Sequence, residues 1–198
     1  MAKENVKVII WGIGAMGKGM AEMLLNKKGV EIVGAIDIGE KLGKSMFDFL
    51  DIEKGNREDI IIKTAEEVIT EKAADVVLIA TSSFTKDVFP KIKYCLENKI
   101  NVISTAEEMA YPQAQESKLA EEMDRIGKEN GVTVLGTGIN PGLIMDLLVI
   151  TLTGACIDVD SIKAERINNL SPFGPAVMSG EVVRLTVEEV TKNIEEGT

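Results

Sequence analysis

Gly12, Gly14 and Gly17 stand in the array Gly12-Ile13-Gly14-Ala15-Met16-Gly17, and Asp37 follows the last glycine by about 20 residues. In that order the residues suit one task, the holding of a dinucleotide. Gly12 permits a tight turn, Gly14 admits a pyrophosphate to the backbone with no Cβ in its way, and Gly17 lets a helix pack close to a strand. The phosphates then meet free N–H groups and the positive end of that helix near Ala15 and Met16. Asp37 is placed to accept hydrogen bonds from an adenosine ribose, where an acid repels a 2′-phosphate; NAD is therefore expected over NADP. Lys41 and Lys44 lie close enough in sequence to permit some NADP binding. The plainer role for Asp37 is a solvated turn residue before Gly39.

Three further groups have both a chemical and a structural reading. Thr81 and Ser82 end an apolar run, where they would line the pyrophosphate and nicotinamide ribose or cap the next helix. In Thr105-Ala106-Glu107-Glu108, the Glu108 carboxylate would sit near the nicotinamide, where it could meet a substrate. The same four residues form a capping-box pattern, which explains Thr105 and Glu108 locally. Asn140-Pro141-Gly142 offers an amide and backbone N–H groups to a substrate, or else a helix start with Asn140 as cap and Pro141 as first helical residue. No residue carries an unambiguous acid/base role. The chain has no histidine, so a His-based triad or His-ligated metal is excluded from it and no metal is expected.

These groups need a scaffold that delivers them to one edge. Val6-Lys7-Val8-Ile9-Ile10-Trp11 is a β-rich apolar run that empties into the glycines. Met16, Met20, Met23 and Leu24 then recur at helical spacing, which predicts one buried stripe with the methionines as core filler. Glu31 to Ile36 is a second strand ending on Asp37. A short helical pattern covers Lys41 to Leu50, followed by a polar stretch, a third strand at Ile60 to Lys63, and a capping box at Thr64 to Glu67 opening a helix toward Lys72. Asp75 to Ala80 is a near-continuous apolar strand, as a parallel sheet covered on both faces requires. Val88, Ile92, Cys95 and Leu96 mark a helix, Asn101 to Ser104 a fifth strand, Leu119, Met123 and Ile126 a helix stopped at Asn130-Gly131, and Val132 to Leu135 a sixth strand. This alternation predicts an α/β fold, a doubly wound parallel Rossmann sheet of order 3-2-1-4-5-6 with its ligand crevice at the carboxyl ends of the strands.

After the sixth strand the rhythm changes. Gly136 to Gly142 reads as a loop, Leu143 to Leu152 as an apolar helix, Asp158 to Asn168 as a strand, and Thr186-Val187-Glu188-Glu189 as the cap of a last helix. One strand and one helix cannot bury a core of their own. The expected division is a dinucleotide-binding domain at 1–140 and, at 141–198, the start of a second, incomplete α+β domain. As the only strand of its sheet, Asp158 to Asn168 would expose Val159, Ile162, Ala164 and Ile167, so a homodimer or larger closed homo-oligomer is expected to cover it. Were the chain monomeric, Ser171 to Gly180 should be the first place a protease cuts.

Composition narrows the partners. The net charge of −10 and the absence of a basic stripe argue against nucleic acid. With 45% hydrophobic and 27% charged residues, a sizeable core is available. No apolar run approaches the ~18 residues of a membrane span, and the start leads straight into a strand, so a cytoplasmic protein is expected, with neither membrane nor nucleic acid as partner. Cys95 and Cys156 have no C-x-x-C spacing and suggest neither a disulfide framework nor a zinc site.

The stretches Val8 to Gly17, Asn101 to Met109, Gly136-Thr137-Gly138-Ile139-Asn140-Pro141-Gly142 and Ser171-Pro172-Phe173-Gly174-Pro175 together resemble the 2,4-diaminopentanoate dehydrogenase family. That family lies in the wider group containing dihydrodipicolinate reductase and diaminopimelate dehydrogenase. The resemblance runs through essentially the whole chain, and its last two stretches are more specific than the glycine array. It implies an NAD(P)-dependent oxidoreductase of amino-acid metabolism that takes hydride from an amine-bearing carbon, after which the iminium is hydrolysed to ketone and ammonia in ornithine breakdown. Members are considerably longer, so the resemblance makes 141–198 the beginning of a substrate and dimerisation domain, inside which the chain is expected to stop. The paired-histidine and Lys-x-Asp-Ala-Pro-Ser-Gly-Thr signatures of dihydrodipicolinate reductase are absent, so a label of that reductase would rest on fold rather than site. Alternatives are an imine reductase of that group and a non-catalytic NAD(P)-binding module.

Overall fold

The computed structural model describes residues 5–167, 169 and 186. The chain divides into units of residues 1–164 and 165–198. In the first unit β1 (Val6–Trp11) leads to α1 (Ala15–Leu25), β2 (Val30–Ile36), β3 (Ile62–Lys63), α2 (Ala65–Val68), β4 (Val76–Ile79), α3 (Thr85–Glu97), β5 (Asn101–Ser104), α4 (Ser117–Asn130), β6 (Val134–Gly136) and α5 (Leu148–Thr153). The six strands form one parallel sheet in the order β3-β2-β1-β4-β5-β6. The order reverses between β1 and β4, which opens a crevice at the strands' carboxyl ends.

Side chains alternate across the pleat, so β1 feeds both faces. Val8 and Ile10 join Ala21 and Leu24 of α1 on one side, while Ile9 and Trp11 join Val88 and Ile92 of α3 on the other. With both faces covered, β4 needs apolar residues throughout, and Val77, Leu78 and Ile79 are all buried. Val88, Ile92, Cys95 and Leu96 form the buried stripe of α3 as expected. Burial pushes the Cys95 thiol up to about 12, making it a packing residue rather than a nucleophile. At the end of α4, Gly131 takes φ 67°, the left-handed stop its position called for.

Several local expectations are corrected. Of the expected stripe on α1, Leu24 is buried and Met20 packs partly buried against the core, but Met16 and Met23 are 49% and 56% exposed, and Gly17 and Ala21 complete the buried face. The small residues let α1 lie close to the sheet, and that face leaves Met16 and Met23 toward solvent. Between Lys41 and Leu50 there is no α-helix but two 3-10 turns, Gly39–Lys41 and Met46–Phe49. Met46 and Phe47 are buried there, and backbone bonds to Ile60 and Ile62 replace a helical ladder. The Thr64–Glu67 capping box is present, but α2 stops at Val68 because Ile69 has non-helical torsions. β3 is two residues long, Ile61 forming only an antiparallel bridge to Ser45.

Beyond β6, the 136–142 segment is a loop in its torsions, with Asn140 and Pro141 extended and Gly142 at φ 129°. Pro141 is therefore not a first helical residue. A wide-turn hydrogen-bond pattern spans Ile139–Leu147 and passes into α5. The expected strand at 158–168 is not formed in residues 158–167, which are exposed. No neighbouring strand among the described residues supplies a ladder, and a lone strand has no means of satisfying its backbone. The Ser171-to-Pro175 motif, the Ser171-to-Gly180 stretch and the rest of the Thr186 capping box lie outside the described residues. No described helix is long and apolar enough to cross a membrane.

Candidate dinucleotide-binding site

β1 ends against both neighbours: the Gly12 N–H donates to the Ile36 carbonyl at 2.8 Å, and the Ala80 N–H donates to the Trp11 carbonyl at 2.9 Å. The chain turns at once, with Gly12 at φ 100°, and a Cβ there would lie 2.6 Å from the Ala80 oxygen. On Gly17 it would lie 1.7 Å from the Gly12 oxygen, so α1 rests directly on the turn. Gly14 differs: no atom falls within 4 Å of the position a Cβ would take. It is the N-cap of α1 with no side-chain cap bond and no acid in the first turn, which leaves that helix end to an anion. Gly12 and Gly17 are thus packed by protein, while Gly14, Ala15 and Met16 border open space.

Asp37 is tied to this turn. Its Oδ2 accepts from the Ile13 N–H and from Lys41 Nζ, both at 2.8 Å, and its Oδ1 accepts from the Ile38 N–H at 2.8 Å. Lys41 Nζ also donates to the Ile13 carbonyl at 2.7 Å, so one acid–base pair holds both polar groups of the Ile13 peptide. Burial works against ionisation of Asp37, but the hydrogen bond from Lys41, then those from Ile38 and Ile13, outweigh it and hold the carboxyl below its ordinary value. The solvated-turn role does not describe a side chain 14% exposed with three such contacts.

The loop after β4 completes the same edge. Thr81 Oγ1 accepts from Lys91 Nζ at 2.7 Å, and the Thr81 methyl group would be 2.8 Å from a Cβ on Gly12. Ser82 turns toward α3, donating to Asp87 Oδ2 at 2.7 Å and accepting from the Phe84 N–H at 3.3 Å. Burial draws Lys91 below the ordinary lysine value, with Asp87 opposing the shift. Lys91 carries no motif and flanks the apolar stripe of α3, so only the fold reveals that it faces Thr81. Lys41 did carry a signal, its i,i+4 spacing from Asp37.

Glu108 is not capping its own turn. Its Oε2 accepts from the Thr85 N–H at 2.8 Å, which caps α3 from 23 residues away, while Thr105 bonds back to the Ile79 carbonyl and Ala106 occupies the N-cap position of the 107–110 turn. Asn140 is exposed on the loop after β6, and the neighbouring Gly142 N–H donates to Asp146 Oδ2 at 2.7 Å. Every residue singled out thus follows the carboxyl end of a strand. Direct contacts join Gly12, Ile13, Gly17, Asp37, Lys41 and Thr81, whereas Glu108 meets the start of α3.

A parallel sheet of this order with a glycine turn and a β2-terminal acid defines the dinucleotide-binding α/β class. Residues 6–130 match the dihydrodipicolinate reductase N-terminal domain, and the chain belongs to that family. Residues 143–198 match the 2,4-diaminopentanoate dehydrogenase C-terminal domain. A 2,4-diaminopentanoate dehydrogenase from Acetoanaerobium sticklandii is 64% identical over 195 residues, 98% of this chain and 55% of that protein. An amine dehydrogenase structure from Mycobacterium smegmatis superposes with a TM-score of 0.77 at 28% identity, covering 97% of this chain and 56% of that one. GenD2 from gentamicin A biosynthesis, solved in complex with NAD, shares the fold with a TM-score of 0.52 at 21% identity, covering 67% of this chain and 34% of its own. The chain spans about half the length of the first two relatives.

Proposed function

We propose that this chain carries the cofactor half of an NAD(P)-dependent oxidoreductase of the 2,4-diaminopentanoate dehydrogenase type, acting at the amine-bearing carbon of an amino acid and preferring NAD. The observation that carries the reading is the bond between the glycine turn and its acid, Ile13 N–H to Asp37 Oδ2 at 2.8 Å, beside the open face of Gly14. These residues fit a dinucleotide: Gly14, Ala15 and Met16 leave room and donors for a pyrophosphate, and Asp37 holds an acceptor at the ribose position. When bound, the nicotinamide supplies the hydride acceptor. Thr81 borders the glycine turn and its hydroxyl accepts from Lys91, which supports a place for it along the edge of the site. No acid/base residue is assigned. The relative at 64% identity supports the substrate class.

The test is calorimetry with NAD and NADH beside an assay of nicotinamide reduction dependent on 2,4-diaminopentanoate, with a cyclic imine as the competing substrate class. Neither binding nor amine-dependent reduction would sink the reading. A second reading is a module that binds without turnover; binding with no activity would favour it. A homo-oligomer belongs to the same proposal, supported by the exposure of Leu147, Ile150 and Leu152.

A further inference from the structure

In a dinucleotide site of this kind the acid after the second strand does two things: it accepts from the ribose hydroxyls, and its charge repels a 2′-phosphate. Here that acid is already engaged. A carboxylate has about four acceptor directions, and three are filled, by Ile13 N–H, Ile38 N–H and Lys41 Nζ. One remains for a ribose hydroxyl. The Lys41 ammonium lies 2.8 Å from Asp37 Oδ2 with 30% of its side chain exposed, so a cation stands beside the acid that would accept from the ribose. Lys44 stands nearby, for both ammonium groups face the Phe49 ring, at 5.8 Å and 6.0 Å from its centroid. The local charge is therefore close to balanced rather than simply negative.

We infer that Lys41 is the residue that sets cofactor selectivity in this site, narrowing the preference for NAD by offsetting the Asp37 charge and offering a partner to a 2′-phosphate. The inference rests on the dinucleotide-site reading and deepens it. Lys41 also anchors the Ile13 carbonyl, which alone would make it a positioning residue for the glycine turn. The two roles separate cleanly: loss of an anchor weakens NAD and NADP alike, whereas loss of a charge changes their ratio.

The experiment is calorimetric titration of NAD and of NADP into the 198-residue chain and into Lys41→Met, Lys41→Gln and Lys41→Arg. Lys41→Gln retains a donor for the Ile13 carbonyl without the charge, and it serves if Lys41→Met does not fold. In both neutral variants the NADP-to-NAD ratio of Kd should rise about tenfold, and in Lys41→Gln, which keeps a donor, the Kd for NAD should change less than about threefold. Lys41→Arg should keep the ratio within about threefold of the unsubstituted value. An unchanged ratio in the neutral variants, or equal weakening of both dinucleotides, overturns the inference while leaving the site in place. If the unsubstituted chain binds neither dinucleotide, the site reading fails and takes the inference with it.

Discussion

At the scale of single residues, Gly14 and Gly17 have the same side chain and opposite constraints. Gly14 has φ −88° and empty space at its Cβ position, so Gly14→Val should leave the circular dichroism spectrum native while lowering dinucleotide affinity at least tenfold. Gly17→Val drives a side chain into the Gly12 carbonyl and should lower stability by roughly 1–3 kcal/mol or more in urea denaturation, losing binding and fold together. Equal effects of the two would contradict this division. Asp37 adds a pH signature. Its folded-state carboxyl is held below its ordinary value, so the stability it contributes is present above the unfolded value and lost as pH falls through the folded one. Asp37→Asn should therefore flatten the stability profile between about pH 5 and pH 2. An unaltered acid limb would mean that its hydrogen bonds contribute nothing to folding.

At the scale of elements, Glu108 is a long-range cap. Its bond to the Thr85 N–H ties the turn after β5 to the start of α3, and Glu108→Ala should cost about 0.5–2 kcal/mol with NAD affinity unchanged. Weaker NAD binding with undisturbed stability would return this carboxylate to the ligand site. The sheet itself was legible in the sequence, because β4 and the latter part of β1 are apolar on both sides of the pleat and that pattern has few alternatives. The glycine turn and Asp37 were legible for the same reason, a fixed order of strand, turn, helix, strand and acid. What was not legible depends on tertiary choice. Met16 and Met23 of α1 have the right period, but Gly17 and Ala21 turn the buried face toward Leu24 and allow closer packing. Thr105-to-Glu108 spells a capping box, yet the side chain of Glu108 finds the start of α3 first. Residues 41–50 carry helical spacing, but their backbone is held by Ile60 and Ile62.

At the scale of the molecule, apolar surface sits on the segment after β6. Leu147, Ile150 and Leu152 are 59%, 67% and 63% exposed, and Val159 and Ile162 remain uncovered in the irregular stretch that follows. Light scattering at micromolar concentration should give a mass at least twice that of one chain, and charged substitutions at Leu147 and Ile150 should reduce it. A stable monomer would refute the oligomer. The turn, acid and lysine of the proposed dinucleotide site are all held within the first unit. The most direct test of that site is titration of NAD into the 198-residue chain and into Gly14→Val. Saturable binding at one site per chain, lost or at least tenfold weaker in the variant, is the expected result. No binding to the unsubstituted chain, or undiminished affinity in Gly14→Val, would contradict it.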